Sequence, residues 1–196
     1  MMLSNRLAKH FGAAAAAAVV VGSANAAIVT WNLNLVIPNN IDGAYINIAT
    51  QTTSTAGFTG YDLNPYSSAT DALAFWAGTG AGYVRTQASG AASSLPVGFV
   101  VDASNAYVGA SSATAISGTT VFNGWQLNSI NYFGFRFTHD TLGLRYGYGV
   151  MQVGANGGVR TLLSLNWEDT GGGIAVPAPG AMALLGLAGL AGRRRR

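Results

Sequence analysis

Two adjacent polar pairs are the first candidates for chemistry, His139–Asp140 and Glu168–Asp169. Acyl transfer by a Ser-His-Asp set needs a histidine, and His139 is the only one outside the N-terminal segment. It sits in a hairpin-turn context, where polar residues are expected anyway, so we read it as turn chemistry. Glycoside hydrolysis needs two carboxylates about 5–10 Å apart. Glu168 and Asp169 are neighbours and would point to opposite faces of a strand, so they cannot form that pair together. Glu168 with a distant aspartate stays open, though nothing selects a partner. Asp42, Asp62 and Asp140 could contribute carboxylates to a calcium site, but no Asp-x-Asp-x-Asp-Gly loop is present. Cysteine is absent, which removes thiol catalysis and Cys-based zinc sites. We therefore expect no catalytic residue, no metal and no cofactor.

Aromatic residues are the better candidates. Trp31, Trp76, Trp125 and Trp167, with eight tyrosines, offer flat apolar faces that carry polar handles, the surface on which a sugar ring stacks. The competing reading makes them core and cross-strand pairs, and we favour it for most of them. Tyr146 and Tyr148 lie on the apolar face of their run and read as core. Tyr61, Tyr66 and Trp125 stand near Pro, Ser, Asn or Gly, so we expect them exposed and name them as candidate ligand-binding residues.

The elements that would carry these side chains follow period two. In Val29 to Ile37 the odd positions are apolar and most even ones polar, which is a half-buried strand. Asp42-Gly43 is a turn signal before a second strand from Ala44 to Thr50, with Ile46 and Ile48 on one face. Thr52 to Thr55 reads as a polar bend. Gly57 to Asn64 and Asp71 to Trp76 are weaker strands around Pro65. Gly78 to Gly118 is rich in Gly, Ala, Ser and Thr, with short strands at Gly82–Thr86, Val97–Val101 and Ala106–Gly109. The last third is clearest. Phe133, Phe135 and Phe137 share a face; Leu144, Tyr146, Tyr148 and Val150 share another; Val159, Thr161, Leu163, Leu165 and Trp167 share a third. Three alternating runs joined by two turns predict an antiparallel meander. The fold class is all-β, an antiparallel β-sandwich of jelly-roll-like form.

Both ends of the chain differ from this. Arg6 and Lys9 precede an apolar, alanine-rich run from Phe11 to Val21, and Ala24-Asn25-Ala26 is a small-x-small cleavage site. Residues 1–26 read as a secretory signal peptide, with a mature start at Ala27. At the other end stand Val176-Pro177-Ala178-Pro179, an uncharged run from Gly180 to Gly192, and Arg193, Arg194, Arg195 and Arg196. The two prolines end regular structure. The run is 13 residues, about 20 Å as a helix against a hydrocarbon core of about 30 Å. Such a segment suits transient holding better than permanent anchoring. Terminal arginines would keep that end cytoplasmic.

This three-part tail resembles the PEP-CTERM sorting signal of Gram-negative bacteria. The resemblance covers about the last 21 of 196 residues; it departs from the pattern at Ala178, where the name-giving glutamate would stand. It implies recognition by exosortase, an integral-membrane enzyme, after entry into Sec-type export. It also implies a short C-terminal transmembrane helix, transient inner-membrane anchoring, C-terminal removal, and delivery to the cell surface or an exopolysaccharide matrix. Ile41 to Asn47 and Tyr132 to Glu168 also resemble, more loosely, the β-rich domains found ahead of such tails. The expected organisation is a signal peptide at 1–26, a β-sandwich ectodomain at 27–175 and a sorting signal at 176–196.

Six of the ten basic residues lie in the two end segments, while all seven acids lie between them. The ectodomain thus carries four arginines against seven acids, a net charge of −3. A nucleic-acid partner needs a basic face, and none is expected here. Arg145 and Arg160 read as exposed cross-strand partners for acids. The functional expectation is an exported, non-enzymatic surface or matrix protein; the alternatives are a carbohydrate-binding module or, less favoured, an envelope glycosidase.

Overall fold

The computed structural model describes residues 27–87, 90–109 and 114–178. The signal-peptide reading of residues 1–26, with Ala24 and Ala26, lies outside the described residues, as does the sorting-signal reading from Pro179 to Arg193–Arg196. No helix among the described residues is long and apolar enough to cross a membrane.

The described chain is all β. In order the strands are β1 (Ile28–Val36), β2 (Tyr45–Asn47), β3 (Thr52–Ser54), β4 (Leu63–Tyr66), β5 (Ala72–Ala77), β6 (Gly82–Val84) and β7 (Val100–Val101). There follow β8 (Tyr107–Val108), β9 (Thr114–Ser117), β10 (Thr120–Val121), β11 (Ser129–His139), β12 (Gly143–Val153), β13 (Arg160–Glu168) and β14 (Ile174–Ala175). One six-stranded sheet has the order β1-β13-β12-β11-β6-β8 and the other β10-β9-β5-β4-β2-β3; β14 and β7 form a short ladder of their own. Every pairing is antiparallel. The two large sheets share one core. Ile46, Leu63, Leu73, Phe75 and Ile116 enter it from the second sheet, and Tyr83, Phe133, Phe135, Phe137, Leu165 and Trp167 from the first. This is a β-sandwich-like arrangement.

The expected meander is present as β11, β12 and β13 side by side. Its buried faces are less simple than the alternation suggested. In β12 it is the glycine face that meets the shared core: a Cβ on Gly149 would overlap the ring of Phe133, and one on Gly147 the ring of Phe135. Phenylalanines of β11 thus lie across a glycine track on their neighbour. Tyr146, Tyr148 and Val150, expected in the core, are indeed buried, but in a second cluster on the opposite face. That cluster is closed by Leu95, Val101, Ile174 and Val176. Leu95, Phe99, Val101 and Tyr107 of the Gly- and Ser-rich passage between β6 and β9 therefore pack as a cover over the first sheet.

Corrections to the strand reading have local causes. The face shared by Val159, Thr161, Leu163, Leu165 and Trp167 is broken, because the register between β12 and β13 shifts where Val150 faces Ser164 but Met151 faces Leu162. The extra residue, Leu163, packs on the second cluster, whereas Leu162, Leu165 and Trp167 stay in the shared core. A bulge exchanges faces in this way. Thr52 to Ser54, read as a bend, pairs as an edge strand with β2. The strand β4 runs through Pro65, which pairs with Phe75.

Val176 is packed into the second cluster. It is 1% exposed; its N–H donates to Phe99 O at 2.9 Å, and its carbonyl accepts from Gly98 N at 2.9 Å. Pro177 is half-buried and Ala178 exposed. At the other end Ala27 N lies 3.0 Å from Asp169 Oδ1, and Asp169 N donates back to Ala27 O at 3.2 Å.

Candidate functional site

Strand parity decides which side chains the second sheet turns outward. Phe75 and Leu63 point into the core, so Trp76 and Asn64, which face each other across β5 and β4, point away from it. The same parity turns Tyr66 outward on β4, and Tyr45 and Asn47 outward on either side of the buried Ile46. Tyr61 joins this face from the connection before β4. Together with Ile41, the residues Tyr45, Tyr61, Asn64, Tyr66 and Trp76 line a groove of about 250 Å³.

On its other side the Tyr61–Trp76 pair borders a larger open cleft of about 1020 Å³, lined also by Asn47, Phe58, Asp62, Gly78, Thr138 and Asp140. The two aromatic residues are therefore a wall between two concavities. Trp76 is 39% exposed. The rings around this wall pack against one another. The ring of Tyr45 meets that of Tyr61 edge-on at 5.0 Å, and Phe58 approaches it at 6.4 Å. Behind them Asp62 N donates to Ile46 O at 2.8 Å, and Gly78 N donates to Asp62 O at 2.8 Å. A Cβ on Gly78 would overlap the carbonyl oxygen of Tyr61, so only glycine allows this approach.

Asp62 is the site's unusual acid. It is 7% exposed and accepts one hydrogen bond at Oδ2 from Ile48 N, at 2.7 Å. Burial pushes its carboxyl up to about 6, with the charge of Asp140 adding to the rise and the Ile48 N–H and His139 opposing it. Partial burial and the neighbouring Tyr45 raise the Tyr61 hydroxyl, against the opposing influence of the Trp76 side chain. Burial also raises Tyr66. Among the described residues lining the two concavities there is no lysine or arginine.

Two of the three aromatic candidates meet here, Tyr61 half-buried and Tyr66 only 6% exposed. Tyr66 is more covered than expected because β4 is an interior strand, with β2 and β5 on its two sides. Trp125 is a correction. It is 2% exposed, stacks on Phe75 at 5.3 Å, and donates from Nε1 to Ala92 O at 2.9 Å. Asn123 and Gly124 both have positive φ, 50° and 82°. They reverse the chain and turn the indole inward, so the neighbouring Asn and Gly that suggested exposure accompany a buried ring.

The other polar candidates divide. Glu168 and Asp169 have separate partners, Asp169 Oδ1 accepting from Ala27 N at the end of β13. Glu168 is buried and accepts from Thr170 N, Thr170 Oγ1 and Gly172 N; burial works to raise its carboxyl, but these bonds hold it below the usual range. His139 is engaged through Nδ1 with Thr141 at 3.3 Å. Among the described residues no three His, Cys, Asp or Glu side chains group as a metal site would need. Asp42 offers its carbonyl, not its carboxylate, to Asn64 Nδ2 at 2.7 Å.

Arg160 overturns its expected role as an exposed partner for an acid. It is 2% exposed and donates to three carbonyls, Ala72 O at 2.7 Å, Pro38 O at 2.9 Å and Gly157 O. Burial lowers it to about 10, against the pull of Asp71. Sitting at the start of β13, it ties the first sheet to β5 of the second. Arg145 is also buried, donating to Leu144 O at 2.7 Å.

Tyr45, Trp76, Asp62 and Asp140 were not singled out as one site. Parity held part of the signal: Tyr45 is out of phase with Ile46 and Ile48, and Trp76 with Leu73 and Phe75. Comparisons of the chain with family models, curated proteins and solved structures gave no match.

Proposed function

We propose that this chain is an exported, non-enzymatic protein of the cell envelope or extracellular matrix that binds polysaccharide through the outer face of its second sheet. The observation that carries the reading is the Tyr61–Trp76 wall, two aromatic side chains that line both of two open concavities, with Tyr45 packed edge-on against Tyr61. Flat, rigid aromatic surface with polar handles suits stacking on sugar rings, and pre-organisation lowers the entropic cost of binding. Asn47, Thr138 and Asp140 add hydrogen-bonding groups for hydroxyls around the larger cleft.

The export half of the proposal draws on the ends of the sequence. A signal peptide would lead the chain into Sec-type export. The tail from Val176 onward would hold it briefly at the inner membrane until exosortase removes it. A jelly-roll form of the sandwich, with a helical segment at either end, completes the proposed organisation. Intact mass of the protein from its native host tests the sorting claim, and a chain still ending in Arg193–Arg196 would sink it.

For binding, the test is retention of the purified protein on the host's own exopolysaccharide. Saturable retention that free sugar reverses, and that Trp76→Ala weakens, supports the reading. Absence of retention would leave a structural coat role through protein contacts.

One observation favours a second reading, an envelope glycosidase: Asp62 and Asp140 line the same cleft, and Asp62 keeps its proton to higher pH than an ordinary carboxyl. Release of new reducing ends from that polysaccharide, abolished by Asp62→Asn, would select it.

A further inference from the structure

The glycan-binding reading leaves open which class of glycan the site takes, and the lining of the larger cleft bears on that. It combines an aromatic wall with two carboxylates, Asp62 and Asp140, and among its described residues no lysine or arginine answers them. Asp140 is exposed at the turn after β11, while Asp62 is almost wholly buried. Among the described residues the one imidazole, that of His139, is engaged with Thr141.

A polymer of uronic acids, or one bearing phosphate or sulfate, would bring negative charge to these carboxylates with no cation to offset it. Like charges brought together in a partly desolvated site oppose binding. A neutral polymer would stack on the wall but would leave both carboxylates without a charged partner. A ring carrying a free amine satisfies both features at once, its apolar face on the aromatic pair and its ammonium as a donor to carboxylate. The cleft, about 1020 Å³ and open, exceeds what a single sugar fills, and the wall continues into the second groove of about 250 Å³. It accommodates an internal stretch of chain.

The geometry points to a polysaccharide with free amino groups, a hexosamine polymer, as the occupant of this cleft, with a sugar ring on Tyr61 and Trp76 and its ammonium directed to Asp62 and Asp140. This rests on the glycan-binding reading and narrows it by charge.

The test is calorimetric titration of the full chain, near neutral pH, with three soluble oligomers: glucosamine, N-acetylglucosamine and galacturonic acid. The glucosamine oligomer should bind tightest, lose affinity as salt rises, and bind about fivefold more weakly to Asp140→Asn, the scale of an exposed charge pair. The same variant should weaken N-acetylglucosamine binding by less, so that the ratio of the two affinities falls, and Trp76→Ala should weaken both. Galacturonate binding as tightly as glucosamine, or Asp140→Asn leaving the ratio of the two amino-sugar affinities unchanged, would overturn the assignment. Equal affinity for glucosamine and N-acetylglucosamine, with sensitivity to Trp76→Ala, would overturn the charge inference alone and keep the glycan-binding reading. Failure of all three oligomers, with Trp76→Ala also indifferent on the host polysaccharide, would overturn both.

Discussion

Replacing Asp62 by asparagine should make this protein more stable at neutral pH, although it removes a buried hydrogen-bonding carboxylate. The carboxyl rises from 3.8 to about 6, with burial as the leading cause. A group raised in the folded state contributes stability that is fully present below its unfolded value, and this is lost as pH rises through the folded value. The window is therefore about pH 4 to 6, and above it the charged form costs the fold free energy. A rise of about two pH units, at about 1.4 kcal/mol for each, is roughly 3 kcal/mol. Asparagine has no charge to desolvate and can still accept from Ile48 N, which donates to Oδ2 at 2.7 Å. Allowing for the weaker neutral hydrogen bond, we expect a gain of about 2 kcal/mol above pH 6. Denaturant unfolding of both proteins at a series of pH values is the assay. The curves should converge near pH 4 and separate as pH rises, the wild type falling below the variant. A variant less stable than wild type at neutral pH would refute the reasoning and show that Asp62 is stabilised as an anion by its surroundings. A carboxylate kept at a cost to the fold, in a cleft, is what a binding role predicts.

Three further outcomes follow from the packing. Arg160→Met should destabilise by about 3 kcal/mol in denaturant unfolding, because it strips a buried donor from three carbonyls; no change would mean that water replaces the guanidinium without loss. Gly149→Ala should cost about 1–3 kcal/mol, as Phe133 must leave its place over the glycine track, and near-UV circular dichroism should report the disturbed aromatic core. If export leaves Ala27 as the first residue, its ammonium will lie where Ala27 N now meets Asp169 Oδ1 at 3.0 Å. Asp169→Asn should then lower stability by up to about 1 kcal/mol in the processed protein, less at high salt, and have a smaller effect where the signal peptide is retained.

Much of the scaffold was legible in the residues. The alternation in β1, β11 and β12 identifies strands, and short turns between the last three runs make them neighbours, since consecutive antiparallel strands need little chain to pair. The absence of cysteine and the clustering of basic residues at the two ends are compositional facts that no fold can change. Alternation, however, specifies two faces without saying how each is covered. In β12 both faces are buried, one by phenylalanines from β11 and the other by Val101, Ile174 and Val176, which come from distant parts of the chain. The inserted Leu163 then exchanges faces within a single strand, which a strict period of two cannot anticipate.

The candidate site was legible only in fragments. Tyr61 and Tyr66 were named from their turn-rich surroundings, but so was Trp125, which the positive φ of Asn123 and Gly124 turns into the core. Local turn chemistry says where the chain bends; it does not say toward what. Asn47, Tyr61, Asp62, Trp76 and Asp140 come from connections and strand ends nearly a hundred positions apart, and they meet because β2, β4 and β5 pair in one sheet while the end of β11 reaches the same cleft. Short-range patterning determined that this chain would form antiparallel strands with apolar faces to bury. Long-range strand order, a property of the whole packed chain, decided which aromatics were left over to face solvent and which carboxylates would stand beside them.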